Sequence, residues 1–133
     1  MSKCGIFLGS ALLLASLTGC TRNPDVLPIK SAGQPDNETG FCKVVDNATK
    51  VIFSIKNNGS DSPAPSGTVE FPSGGSVPFT APMAIPAGET IELPAINIPT
   101  GCFSPDCSFK ITITPVPDES ITSNNSAQGR CIG

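Results

Sequence analysis

The chain of 133 residues contains no histidine, no tryptophan and no tyrosine. Without histidine the commonest general base near neutral pH is missing, and so is any Ser-His-Asp relay. A Gly-rich phosphate loop of the right spacing is also missing; Ser73-Gly74-Gly75-Ser76 sits between two short apolar stretches and reads as a turn. Charge is sparse, with 8 Lys and Arg against 11 Asp and Glu and a formal net charge of −3. The cations form no basic stripe, so neither nucleic acid nor an anionic lipid headgroup is suggested as a partner. Paired carboxylates are the remaining route to acid–base chemistry. Glu89 and Glu92, three apart on an alternating strand, point to opposite faces, and Asp118 and Glu119 sit in a turn where solvated acids are ordinary. The expectation is a protein that is not an enzyme and needs no cofactor.

Helical periodicity is confined to the start of the chain. Lys3 supplies a positive end, and Ile6 to Leu17 is an apolar run interrupted only by Gly and Ser. It is shorter than the ~20 apolar residues that span a hydrocarbon core, so it reads as the h-region of an export signal. It closes on Leu17-Thr18-Gly19-Cys20, which resembles the lipobox of bacterial lipoproteins. The resemblance implies a cut before Cys20, diacylglycerol on its thiol, and more than one acyl chain on the new terminus. A single chain anchors only marginally, at about 0.8 kcal/mol per buried methylene. An ordinary cleaved signal with a free thiol, and an uncleaved buried helix, are the weaker alternatives. Thr21 stands where enteric-type sorting places an Asp to retain lipoproteins at the inner membrane, so the expected address is the cell envelope with the outer membrane favoured.

The organisation expected is a signal peptide over 1–19, a flexible tether over 20–40 and a folded domain over 41–133. Pro24, Pro28 and Pro35, among Gly, Asn, Asp and Ser, keep the middle segment extended. Its alternative is an additional edge strand over Val26 to Ile29. Loss of residues 1–19 removes one charged residue, Lys3, so the formal net charge moves from −3 to −4.

Of six cysteines, Cys4 leaves with the leader and Cys20 is assigned to lipid, which leaves Cys42, Cys102, Cys107 and Cys131. An even number in an exported chain implies disulfides, and four cysteines allow three pairings. Two hints favour Cys102–Cys107 with Cys42–Cys131. The first pair flanks the turn-forming Phe103-Ser104-Pro105-Asp106. The second lies at opposite ends of the domain, where first and last strands often run side by side. Zinc is disfavoured by the absence of His, by a Cys-x4-Cys with no matching partner pair, and by an oxidising compartment.

From Phe41 onward the apolar period is two. Val51, Phe53 and Ile55 alternate with Ile52, Ser54 and Lys56 until Asn57-Asn58-Gly59 ends the strand. Short strands follow at Thr68 to Phe71 and Val77 to Phe79. Pro86-Ala87-Gly88 is a turn before Thr90 to Leu93, and Ala95 to Ile98 is an edge segment between Pro94 and Pro99. Phe109, Ile111 and Ile113 form the clearest inward face, and a last strand is expected over about Ser126 to Ile132. Asn-x-Ser/Thr strings such as Asn47-Ala48-Thr49 read as turns. The pattern predicts an all-β chain, an immunoglobulin-like β-sandwich of about seven short antiparallel strands.

Val51 to Gly59, the Pro86-Ala87-Gly88 turn, and Phe109 to Asn125 with its Asp118-Glu119-Ser120 and Asn124-Asn125 resemble CARDB domains, the cell-adhesion-related domains found in bacteria. The resemblance covers roughly Phe41 to Gly133 and departs at Ile121-Thr122-Ser123, where an acidic residue is common. It implies a sandwich used for adhesion, binding or spacing. Asp118, Glu119, Asn124 and Asn125 also place oxygen ligands in one loop, as calcium prefers; the preferred reading is that the Asn pair caps backbone groups in a tight turn. The expected function is a lipid-anchored envelope protein that presents its domain to a protein or glycan without catalysis. The alternative is a structural envelope or assembly subunit with no soluble ligand.

Overall fold

A computed structural model describes residues 23–72 and 74–133. The leader over 1–19, Cys20 and Thr21-Arg22 lie outside the described residues. The described chain is all-β apart from one short 3-10 turn, Glu38–Phe41. Its strands are β1 (Val26–Ile29), β2 (Cys42–Val45), β3 (Ala48–Val51), β4 (Ser54–Asn57), β5 (Ser66–Phe71), β6 (Gly75–Thr80), β7 (Thr90–Glu92), β8 (Ile96–Asn97), β9 (Cys107–Ile113) and β10 (Ser126–Cys131). They pair antiparallel in three sheets, ordered β1-β4-β7, β2-β3-β8 and β10-β9-β5-β6. No helix among the described residues is long and apolar enough to cross a membrane.

Strands form where the side-chain period is two. In β9, Phe109, Ile111 and Ile113 are buried while Ser108 and Lys110 are exposed. In β5, Val69 and Phe71 point into the same core. Val26 and Ile55 of one sheet, Ile111 and Ile113 of another and Phe53 between strands share one apolar cluster, with Phe53 edge-on to Phe79 at 5.0 Å. Gly129 of β10 lies opposite Phe109. A Cβ there would meet that ring at 2.5 Å and the Phe41 ring at 3.1 Å, so only glycine lets both rings cover the strand.

The run from 51 to 56 departs from simple alternation. Ile52 and Ser54, expected on a mixed face, are buried along with Val51, Phe53 and Ile55. The strand is broken at Ile52-Phe53, where Ile52 N–H donates to the Phe41 carbonyl at 2.9 Å and Leu93 N–H to the Phe53 carbonyl at 3.0 Å. Before the break the chain pairs with β2 and β8, and after it with β1 and β7. The Ser54 hydroxyl lies 3.1 Å from that of Ser31, itself buried, so chain following β1 covers the second face.

That chain belongs to the expected tether over 20–40, which is corrected from Asn23 onward. Val26–Ile29 is β1, the edge-strand alternative, paired in register from Val26↔Asn57 to Ile29↔Ser54. Val26 is fully buried. Pro28 is tolerated because β1 is the sheet's edge, where a missing N–H interrupts no ladder on the open side. Beyond it, Asn37 Oδ1 accepts the Thr39 N–H at 2.9 Å and caps the 3-10 turn. The Gln34 amide donates to the Gly40 and Cys42 carbonyls at 3.2 and 2.9 Å.

Candidate functional site

The strand registers sort the loops into two poles. At one pole lie the chain before β1 (23–25), the β4–β5 loop (58–65), the β6–β7 loop (81–89) and the β9–β10 loop (114–125). At the other lie the β2–β3 and β5–β6 turns, the 98–106 loop and the carboxyl-terminal Ile132-Gly133.

The first pole is organised by Asn57, at the end of β4 and fully buried. Its Oδ1 accepts the N–H of Gly59 at 2.9 Å and of Asp25 at 3.2 Å. Its Nδ2 donates to the carbonyls of Ser60 at 2.6 Å and Ile85 at 2.9 Å. Its backbone accepts from Gly88 N–H at 2.8 Å and donates to the Glu89 carbonyl at 3.0 Å. One amide thus ties the pre-β1 segment to two loops. Such a buried polar group is stabilising only because all its hydrogen-bonding capacity is met.

The calcium candidates are brought together at the same pole, as a clasp. Glu119 Oε2 accepts the Val26 N–H at 2.9 Å; Oε1 accepts the Val116 N–H at 3.2 Å and the Asn125 amide at 3.1 Å. Asn125, 4% exposed, also donates to the Ile113 carbonyl at 3.4 Å. The Asn124 amide donates to Asp25 Oδ1 at 3.0 Å. Asp118 is exposed, in the left-handed region at φ 69°. A cation at Glu119 would have to displace N–H donors already aimed at both carboxylate oxygens. The arrangement fits capping of the turn and of the β1 amino terminus. Among the described residues no cluster of three or more His, Cys, Asp or Glu is placed to hold a metal. Glu89 and Glu92 are both exposed.

The other pole is tied by sulfur. Cys42 and Cys131 are bonded, with a Cα separation of 5.7 Å, as are Cys102 and Cys107 at 5.1 Å. The pairing is the expected one, but the geometry behind the longer link differs. Cys42 opens β2 and Cys131 closes β10, which belong to different sheets, so the bond joins sheets rather than neighbouring strands. Cys107 and Cys131 face each other across β9 and β10, which sets the two disulfides side by side. Arg130 adds contacts to Glu38 at 2.9 Å and Asp106 at 3.5 Å.

Large apolar side chains are exposed in loops at both ends: Met83 and Ile121 at the first, Phe103 and Ile132 at the second. A groove of about 400 Å³ is lined by Glu70, Phe71, Ser108, Phe109, Lys110 and Gln128. Its two rings are 4% exposed, leaving little aromatic face for a ligand to stack on.

No family model, curated protein or solved structure matches the chain. Its function has to be read from its own residues.

Proposed function

We propose that the chain is a lipid-anchored envelope protein, acylated at Cys20, whose immunoglobulin-like domain presents its loops to a protein or glycan without catalysis. The observation that carries the reading is the state of the four cysteines beyond the lipobox-like Cys20, all joined in two disulfides. Disulfides form and persist in oxidising compartments outside the cytosol. That agrees with an export signal ending at a lipid-accepting cysteine, and with an outer-membrane address. The sheet β10-β9-β5-β6, sharing one apolar cluster with β1-β4-β7 and β2-β3-β8, supports a sandwich, and the CARDB type rests on the sequence resemblance alone. The non-catalytic reading rests on the lack of histidine in a chain whose carboxylates sit in turns or on solvent-facing positions.

Exposed Met83, Phe103, Ile121 and Ile132 are the loop side chains that a binding role would use. Two measurements test the proposal. Intact-mass analysis of protein extracted from membranes should give a chain beginning at Cys20 with added acyl mass; an unmodified Met1 would sink the anchor. A pull-down from detergent-solubilised envelope with the acylated protein should recover a reproducible partner. An empty pull-down would shift the reading to the structural subunit.

A further inference from the structure

The lipid anchor, if attached as proposed, meets a domain that begins almost at once. Asn23 is already docked: its carbonyl accepts the Ser60 N–H at 3.1 Å and its amide donates to Ser120 Oγ at 3.4 Å. Two residues on, the Asp25 carbonyl accepts the Asn58 N–H at 2.8 Å. Gly59 lies so close beneath this segment that a Cβ there would run into the Asn23 carbonyl. Only Thr21 and Arg22 separate Asn23 from Cys20. Three Cα steps of about 3.8 Å cannot exceed about 11 Å. β9 alone, seven residues long, extends the fold by about 20 Å. The leash is therefore shorter than the domain, and the pole it leaves from cannot turn away from the surface that holds the acyl chains.

We infer that the Asn23 pole, with Ile121 at its rim, seats on a zwitterionic phospholipid surface and that the disulfide pole faces outward. This rests on the lipid-anchor reading and adds an orientation and a lipid class to it. Ile121 is 52% exposed and lines a groove with Asn23, Pro24, Asn58, Gly59 and Ser120. An exposed apolar side chain beside the leash is placed to enter the headgroup layer. The lipid class follows from charge. The loops of this pole carry Asp25, Asp61, Glu89, Asp118 and Glu119 and, among their described residues, no Lys or Arg; Arg22 in the leash offsets one of these five charges, and the balance stays acidic. Acidic loops are repelled by anionic headgroups within a Debye length and tolerated by zwitterionic ones. With that pole covered, Phe103 and Ile132 at the opposite end are left free for a soluble partner.

The chain has no tryptophan, so one introduced Trp reports its own surroundings. Ile121→Trp and Phe103→Trp change exposed residues at opposite poles and leave the core untouched. Each acylated full-length variant would be placed in phosphatidylcholine vesicles containing lipid with a nitroxide on its headgroup. The expected result is emission from Ile121→Trp quenched several-fold more than emission from Phe103→Trp. Equal quenching, or the reverse order, would overturn the orientation. Intact mass on the same samples separates the two ideas: with acyl mass present such a result rejects the seating alone, while its absence rejects the anchor and the seating together. On vesicles rich in anionic lipid at low salt, quenching of Ile121→Trp should fall and then recover as salt is added. Stronger quenching there would overturn the assignment to a zwitterionic surface.

Discussion

At the disulfide pole the chain is held by two sulfur bridges, one joining the sheet of β2 to the sheet of β10 and one closing the loop into β9. At the Asn23 pole the same task falls to two amides and a carboxylate: Asn57 ties three segments together, and Asn125 with Glu119 fastens β1 to the β9–β10 loop. The comparison teaches how differently the two ends resist disruption. A crosslink stabilises mainly by limiting the unfolded chain, so its contribution grows with the loop it closes. A buried amide contributes little net when satisfied but is costly when one partner is lost, because the groups left behind stay dry and unpaired. The covalent pole should tolerate local substitution. The hydrogen-bonded pole should not.

Removing the longer bridge should have the largest effect. Cys42→Ser combined with Cys131→Ser opens a loop of sequence separation 89, and chain entropy sets the loss at about 4 kcal/mol. That is a large part of the roughly 5–15 kcal/mol typical of a domain. Guanidinium titration would measure it, and a loss below about 1 kcal/mol would show that the unfolded chain is already compact without the link. Asn57→Ala comes next, at about 3 kcal/mol, since it takes the partner from the Asp25 and Gly59 N–H groups and the Ser60 carbonyl, and leaves the Ile85 carbonyl with the Ser62 N–H alone. Hydrogen exchange sharpens the contrast. Asp25 and Gly59 amides should lose protection in Asn57→Ala while those of β9 and β10 keep it. Uniform loss across both poles would mean that the fold opens as one unit.

The period-two strands were legible because their signal is local. Phe109, Ile111 and Ile113 read inward from sequence and are inward, and the turn between Cys102 and Cys107 announced its own crosslink. What was illegible depends on distant partners. β1 looked like tether because Pro, Gly and Asn surround it, yet a short edge strand needs only Val26 and Pro28 facing in and a ladder supplied by β4, some 30 residues on. Ser54 alternates onto a mixed face, and nothing in its neighbourhood says that Ser31 will cover it. Asn57 was read as a strand stop, which it is. Nothing in Asn57-Asn58-Gly59 marks the first Asn as the buried hub and the second as exposed. The clasp was half legible: the residues of the turn were singled out together, but the Val26 N–H that Glu119 accepts is 93 positions away.

Glu119 gives the smallest effect and the finest distinction between the poles. Glu119→Gln keeps the side chain's length but turns one acceptor oxygen into an N–H donor, facing either the Val26 or the Val116 N–H. One backbone donor loses its partner while Asn125 can keep the other oxygen, so the cost should be about 1–2 kcal/mol, seen as a modest fall in melting temperature. Calcium supplies the control. If Glu119 works as a hydrogen-bond acceptor, adding calcium should shift the melting temperature of neither wild type nor Glu119→Gln. A cation that raised the wild-type value and not the variant's would mean that its binding outweighs three donated hydrogen bonds, and the clasp would have to be redrawn as a metal site with Asn124 and Asn125 oxygens turned inward. Both of those oxygens are buried without a hydrogen-bond partner in the structure, which makes the measurement a demanding one for the clasp.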